Sequence, residues 1–241
     1  MGKSRGNRLS KQSAYFYWFG NSSMSGIQVM ANSNYVNMND NSNMPKNVYG
    51  TCYGITWGAN ANLTKLPTMY MSLQTMNRCF KDIAKLKNVD LSYISLQKQL
   101  TYFDYSECFS GCADLVEIKG MPLSKSFTYG IGNYNTFYGC AKLETISFSG
   151  DGLINVSQAL DMSDCNSLSE QSYLAIAWRL DPNSSNKTWN AESSSATTPS
   201  TKHVRLNQSG DGLEYCNSGD SGDLGTLAEY VTSKGWTLSL Q

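Results

Sequence analysis

From Trp57 onward the apolar residues of the chain keep returning to the same places in a ten-residue frame. The frame is "WGANANLTKL" from Trp57, "FKDIAKLKNV" from Phe80, "FSGCADLVEI" from Phe109, "FYGCAKLETI" from Phe137 and "MSDCNSLSEQ" from Met162, at spacings of 23, 29, 28 and 25 residues. Position one is always large and apolar, and position seven is always Leu: Leu63, Leu86, Leu115, Leu143 and Leu168. Position ten is aliphatic in the first four copies, at Leu66, Val89, Ile118 and Ile146. Self-similarity at a fixed period marks a repeat architecture, and this period lies close to the 20–29 residues of leucine-rich repeats, whose core reads L-x-x-L-x-L. Leu86-x-x-Val89-x-Leu91 and Leu143-x-x-Ile146-x-Phe148 meet that core in full; Leu63-x-x-Leu66 and Leu115-x-x-Ile118 meet its first half.

Apolar–polar alternation at Val89, Asp90, Leu91 and at Ile146, Ser147, Phe148 has the period of two of a strand with one buried face. Each unit is therefore expected to contribute one short strand. A single unit has too few apolar side chains to offset the entropy of fixing its backbone. Stacked units cover one another's faces, and their strands form a parallel ladder.

The flanks read differently. Residues 15–56 are rich in Tyr, Asn, Ser and Gly, with "NSNYVNMNDNSNMPKN" as the extreme. The apolar residues Tyr15 to Phe19, Ile27 and Val29 predict a small β-rich cap or attachment segment with Asn-rich turns. After the repeats, Ser169 predicts the N-cap of a helix running to about Leu180, with Leu174, Ala177 and Trp178 on one stripe and Asp181-Pro182 ending it. Residues 183–201, "NSSNKTWNAESSSATTPST", predict a long exposed loop. A strand His203–Leu206 follows, then a helix opened by Asp223, with Leu227, Tyr230 and Val231 on one face and Gly235 as its stop, and a terminal strand in "WTLSL". "SGDGL" occurs at Ser149–Leu153 and Ser209–Leu213, where an Asp-Gly step predicts a turn after a strand.

The wording F-x-G-C-x-x-L-x-x-I resembles the BspA-type leucine-rich repeats of gut Bacteroidetes surface proteins and of bacteriophages infecting that group. The order "SEQSYLAIAWRL", "KHVRL", "KGWTL" is similar to the way those proteins finish, with a helix, a strand and a closing KGWTL. The likeness runs from about Trp57 to Leu240. Units one, two and five depart from it, with Asn60, Ile83 and the Asp164-Cys165 pair where Gly-Cys stands elsewhere. The resemblance and the periodicity together imply an α/β fold. It would be a short, irregular leucine-rich-repeat solenoid with a parallel strand ladder over residues 57–168, an N-terminal β-rich segment over 1–56, and a C-terminal helix-strand cap over 169–241.

Composition adds limits. With 40% hydrophobic residues the chain can build a core, and 19 basic against 19 acidic residues give no electrostatic case for nucleic acid or an anionic membrane. No apolar run approaches the roughly 18 residues of a membrane span. The start, "MGKSRGNRLSKQSAYFYWFG", lacks the apolar segment of a secretory signal, which predicts that export does not use that route.

Seven cysteines cannot all pair within the chain. Cys112, Cys140 and Cys165 share position four and Cys79 and Cys108 the place before the aromatic, so stacking predicts two columns of small buried thiols. Disulfide or metal pairing is the alternative, without a C-x-x-C pair or a His partner to support it. "CNSGDSGD", Cys216 to Asp223, resembles the G-D-S-G around the nucleophile of chymotrypsin-like proteases. The single His of the chain, His203, lies in a different predicted element, however, and Asp223 stands where the protease has Gly. A polar turn accounts for those letters. Asp211, Asp220 and Asp223 lack the ligand spacing of a calcium loop. No catalytic residue, metal or cofactor is expected.

What remains is surface. Residues flanking the buried aliphatics should point outward and align between units: Lys65, Asn88, Glu117 and Thr145 in one row, Pro67, Asp90, Lys119 and Ser147 in the next. Charges, amides and hydroxyls together suit a protein or glycan contact; the alternative is a solvated sheet face. The resemblance, the Asn-rich head and the start of the chain imply a non-enzymatic interaction module. It would be a phage virion component in tail, fibre or capsid decoration, located in the virion and contacting a host surface or neighbouring virion proteins. A bacterial cell-surface adhesin, extracellular and binding host protein or glycan, is the alternative, and homo-oligomer formation is left open.

Overall fold

The computed structural model describes residues 68–73, 75–96, 103–123 and 134–241, together with Thr64, Leu66 and the backbone of strands at 27–28, 47–52, 55–56 and 131–132. The expected aromatic segment Tyr15–Phe19, most of the Asn-rich tract, Trp57, Leu63, Lys65 and Pro67 lie outside the described residues. Elements in chain order are β1 (Ile27–Gln28), β2 (Asn47–Cys52), β3 (Ile55–Thr56), β4 (Thr68–Leu73), β5 (Asn88–Asp90), β6 (Ile94–Leu96) and β7 (Phe103–Asp104). Then come β8 (Glu117–Pro122), β9 (Ile131–Gly132), β10 (Thr145–Ser149), β11 (Leu160–Met162), α1 (Glu170–Arg179) and β12 (Thr188–Ala191). The chain closes with α2 (Ser193–Thr201), β13 (His203–Leu206), β14 (Leu213–Cys216), α3 (Leu227–Ser233) and β15 (Thr237–Leu240). The fold is mixed α/β: small sheets, all parallel except the hairpin β13–β14, with three helices among the described residues and no barrel.

The frame that starts at Phe80, Phe109 and Phe137 has a physical basis at each position. The three rings stack, with centroids 5.4 and 6.0 Å apart and planes within 11° and 8° of parallel. Position three has positive φ in each copy, at Asp82 (61°), Gly111 (78°) and Gly139 (73°). Glycine occupies the left-handed region without penalty and Asp tolerates it, which explains the G of F-x-G-C and its replacement in the earlier copy. A Cβ on Gly111 would also lie 2.4 Å from Asp82 Oδ1 in the preceding copy. At position four the thiols of Cys112 and Cys140 donate to the carbonyls of Phe80 and Phe109, 3.0 and 3.2 Å away. Leu86, Leu115 and Leu143 are fully buried, and each amide closes the same turn, onto Ile83, Cys112 and Cys140 at 3.1 Å.

Alternate amides of one copy donate to carbonyls of the next: Arg78 to Ser106, Phe80 to Cys108 and Asp82 to Ser110, then Glu107 to Tyr134, Phe109 to Thr136 and Gly111 to Tyr138, all at 2.7–3.0 Å. Beyond the Leu, Val116 N bonds Lys87 O at 2.8 Å and Glu144 N bonds Val116 O at 2.9 Å, leading into the parallel sheet β5–β8–β10. Its register places Val89 beside Ile118 and Ile118 beside Ile146. The expectation of one strand per unit is too few. After β5 the same copy makes β6, which pairs with β4, and β7 pairs with β9. Ile94 of β6, Phe103 of β7 and Tyr105 just after it are buried.

The ladder stops at β10, because helix α1 takes the place of the next strand. Ser169 N bonds Glu144 O at 2.8 Å, and the Ser172 hydroxyl accepts from Ile146 N at 3.0 Å while donating to Glu144 O at 2.9 Å. The open edge of β10 is thus blocked by a side chain, a common way of protecting an edge strand. Helix α1 has the expected Ser169 cap, which accepts from Ser172 N, and ends at Arg179 with Leu180 as its C-cap. Leu174 and Ala177 are buried and Trp178 is half-buried against the core.

Residues 183–201 are not the expected exposed loop. Thr188–Ala191 is the centre of the sheet β11–β12–β15, with Trp189 fully buried between Leu160 and Leu238, and Ser193–Thr201 is helix α2. Poor helix formers fold here because Ala196, Pro199 and Ser200 are buried, Glu192 caps the helix, and the hydroxyls of Thr197, Ser200 and Thr201 bond carbonyls one turn back. The helix expected from Asp223 begins later, at Leu227, because Thr226 and Glu229 form a reciprocal capping box. Strand β13 has the expected bounds, and Gly235 (φ 77°) ends α3. In both SGDGL segments the left-handed residue is the first glycine, Gly150 or Gly210, so the turn is at Ser-Gly rather than at Asp-Gly.

Candidate binding surface

The sheet β5–β8–β10 carries most of the residues expected to face outward. Asn88, Glu117 and Thr145 are direct neighbours in register, as their row requires, and Asn88 and Thr145 are exposed. Asp90 pairs with Lys119, their charges 3.7 Å apart and largely exposed. Burial acts to raise the Asp90 carboxyl, but bonds from Ser92 and the charge of Lys119 outweigh it and hold the group below its ordinary range. Ser147 does not continue that row. Between Ile146 and Phe148 the register shifts, so that Lys119 and Gly120 together face Ser147. Gly120 has φ 66°, and a Cβ there would lie 2.8 Å from Ser92 Cα, so only glycine allows this bulge. The Ser147 hydroxyl accepts from Gly120 N at 3.0 Å in place of a ladder carbonyl.

Charged pairs also tie one copy to the next. Glu107 is clamped by Lys81 and Arg78, which hold its carboxyl low, and Lys142 reaches Asp114 at 2.6 Å. These contacts are between surface charges of neighbouring repeats, so they fix register more than they add stability.

The cysteine columns are packed thiols. Cys79, Cys108, Cys112, Cys140 and Cys165 are buried, and burial pushes Cys112 up to about 12. Cys216 is half-buried in β14. Among the described residues no three His, Cys, Asp or Glu side chains gather as a metal site.

The CNSGDSGD segment brings His203 and Asp223 together, which the chain order did not suggest. His203 Nδ1 lies 2.9 and 3.0 Å from the two Asp223 oxygens, and Asp223 also accepts from the Gly219 and Gly225 amides at 2.8 Å. The Gly219 amide, His203 and the Gly225 amide hold this carboxyl down to about 2. Ser221 is exposed and makes no hydrogen bond to His203, so a nucleophile–base contact is missing. Asp220 is used by Asn217 N at 2.9 Å and Asp211 by Asn207 Nδ2 at 3.0 Å; these are turn bonds.

Compared with protein-family models, with curated proteins and with solved structures, the chain matches none.

One feature was missed in the sequence. A groove of about 200 Å³ lies between the end of β10, helix α1 and the β13–β14 turn, with Phe148, Trp178, Gln171, Arg179, Asn207 and Asp211 among its walls. Trp178 sits on the helix stripe read as core, and the opposing wall comes from a turn whose return strand, β14, was not anticipated. Among the described residues no helix is long and apolar enough to cross a membrane.

Proposed function

We propose that this chain is a non-enzymatic interaction module: a short, irregular leucine-rich-repeat solenoid whose outward rows contact a partner. The observation that carries it is the register of Asn88, Glu117 and Thr145 beside the Asp90–Lys119 pair. That register sets charges, an amide and a hydroxyl on one face of a sheet whose opposite face holds the core. Such a face suits a polar protein or glycan partner, since specificity between surfaces comes from matched polar groups. The resemblance of the repeat wording to BspA-type proteins supports a phage virion component that contacts a host surface or neighbouring virion proteins. The unconnected Ser221 supports a binding role over a hydrolytic one.

Phage particles made without the gene, and with variants, test this. Particles lacking the protein should differ in composition or adsorb to host cells less well. Reversing the face with Asp90→Lys, Glu117→Lys and Lys119→Glu should reproduce the defect, while Ser221→Ala should not. Deletion particles with unchanged composition and adsorption would refute the virion reading.

A further inference from the structure

We infer that the groove between β10, α1 and the β13–β14 turn binds one ring of a neutral saccharide. It is a second site beyond the sheet face, and the inference rests on reading the chain as a binding module. Its walls combine aromatic surface, from Trp178 and Phe148, with polar groups that still have hydrogen-bonding capacity. Gln171 is exposed, and its amide makes no hydrogen bond to another described residue. Asp211 Oδ1 is fixed by Asn207 Nδ2 at 3.0 Å, which leaves Oδ2 to accept. Arg179 spends Nη1 on Gly152 O at 3.1 Å and keeps further donors. The Ser147 hydroxyl accepts from Gly120 N, so its proton is left to donate.

Donors and acceptors are thus interleaved over a short distance beside an aromatic wall. A ligand that satisfies them needs several groups that both donate and accept, together with an apolar face for the rings, and a pyranose has both. One carboxylate and one guanidinium cancel, which favours a neutral ring over an anion. A drug-sized pocket spans roughly 300–1,000 Å³; at about 200 Å³ this groove takes a single ring, with the remainder of a chain lying outside. Peptide addition to β10 is blocked, since Ser172 already occupies Ile146 N.

Saturation-transfer NMR on the full chain, with methyl glycosides of glucose, galactose, mannose and N-acetylglucosamine as probes, tests the assignment. At least one glycoside should bind saturably with Kd of about 1–10 mM, and Asp211→Asn, Trp178→Ala and Gln171→Ala should each weaken it about tenfold, or 1.4 kcal/mol. Gln171 is exposed, so that variant keeps the test independent of folding, and Tyr138→Ala, on another face, should bind as the parent does. No saturable signal from any glycoside at about 20 mM, or binding that is unchanged in Gln171→Ala and Asp211→Asn, would overturn the inference. Tighter binding of an acidic peptide, blocked by the same variants, would overturn it too. If saccharides fail while the sheet-face reversals still impair adsorption, only the groove falls; if both fail, the binding-module reading falls with it.

Discussion

The repeats from Phe80 to Ser149 and the C-terminal region from Ser169 to Gln241 bury comparable kinds of side chain but are held together differently. In the repeats one set of bonds recurs: ring on ring, a left-handed residue at position three, a Leu turn closed at 3.1 Å, and, in the two later copies, a thiol on the preceding carbonyl. In the C-terminal region each tie is used once. Lys234 Nζ caps the end of α1 through Ala177, Trp178 and Leu180 carbonyls at 3.1, 2.7 and 3.3 Å, Trp236 Nε1 reaches Asp181 O at 2.8 Å, and His203 meets Asp223. A recurring bond distributes a defect to both neighbours, because each repeat is the cover of the next. A single-use tie localises it.

The largest expected effect separates the two modes. Leu115→Ala, in a fully buried central repeat, should cost about 3–5 kcal/mol and raise amide exchange in the repeats on both sides. Leu227→Ala, equally buried in α3, should show a similar cost with exchange confined to the C-terminal elements. Hydrogen exchange by mass spectrometry reads both; equal spreading in the two variants would remove the distinction.

Next is the backbone of the repeat. Gly111→Ala adds a left-handed alanine, about 1–2 kcal/mol, and the contact with Asp82 adds to that. Pairing it with Asp82→Gly should recover the contact share and leave the conformational share, by urea denaturation. Full recovery would mean that φ at this position is not what selects glycine.

Smaller effects test the single-use ties. Lys234→Met should cost about 1–2 kcal/mol through the α1 carbonyls it leaves uncapped, read as a lower urea midpoint. Burial pushes the Lys234 ammonium down to about 8, below its unfolded value of 10.5, so its contribution to stability rises with pH between those values; the variant should flatten that rise. At the acid end Asp223 is also shifted down, here by bonds from the Gly219 amide, His203 and the Gly225 amide rather than by burial. Its folded value of about 2 lies below the unfolded 3.8, so its stabilisation is full above about 4 and is lost as pH falls through 2. Loss of the hairpin β13–β14 between pH 4 and 2 should be shallower in Asp223→Asn, which circular dichroism can follow; an identical acid limb would mean that the Asp223 carboxylate, with its bonds from Gly219, His203 and Gly225, does not hold the hairpin.

The same contrast explains what could be read from the letters. A recurring bond leaves a recurring residue, so Phe, Gly, Cys and Leu at fixed intervals revealed the stacked strands, and Ser169 revealed α1. Single-use ties leave no period. The Ser/Thr-rich segment of α2 reads as loop because burial of Ala196 and the flanking β12 decide its fold, not propensity. Strands β6 and β7 escaped because Ile94 and Phe103 lie outside the ten-residue frame, in two further small sheets. Of the outward residues, Asn88, Asp90, Glu117, Lys119 and Thr145 were legible from alternation, whereas the bulge at Gly120 that displaces Ser147 was not. The groove needed two elements far apart in sequence to meet.

The fold depends most on neighbouring repeats lying one against the next in the order of the chain. Methyl–methyl NOEs in a Leu-labelled sample test this directly, because neighbouring strands are about 4.8 Å apart and alternate ones about twice that. The predicted result is cross-peaks from Leu115 to both Leu86 and Leu143, with none between Leu86 and Leu143. Cross-peaks that place these three leucines in separate networks would contradict it.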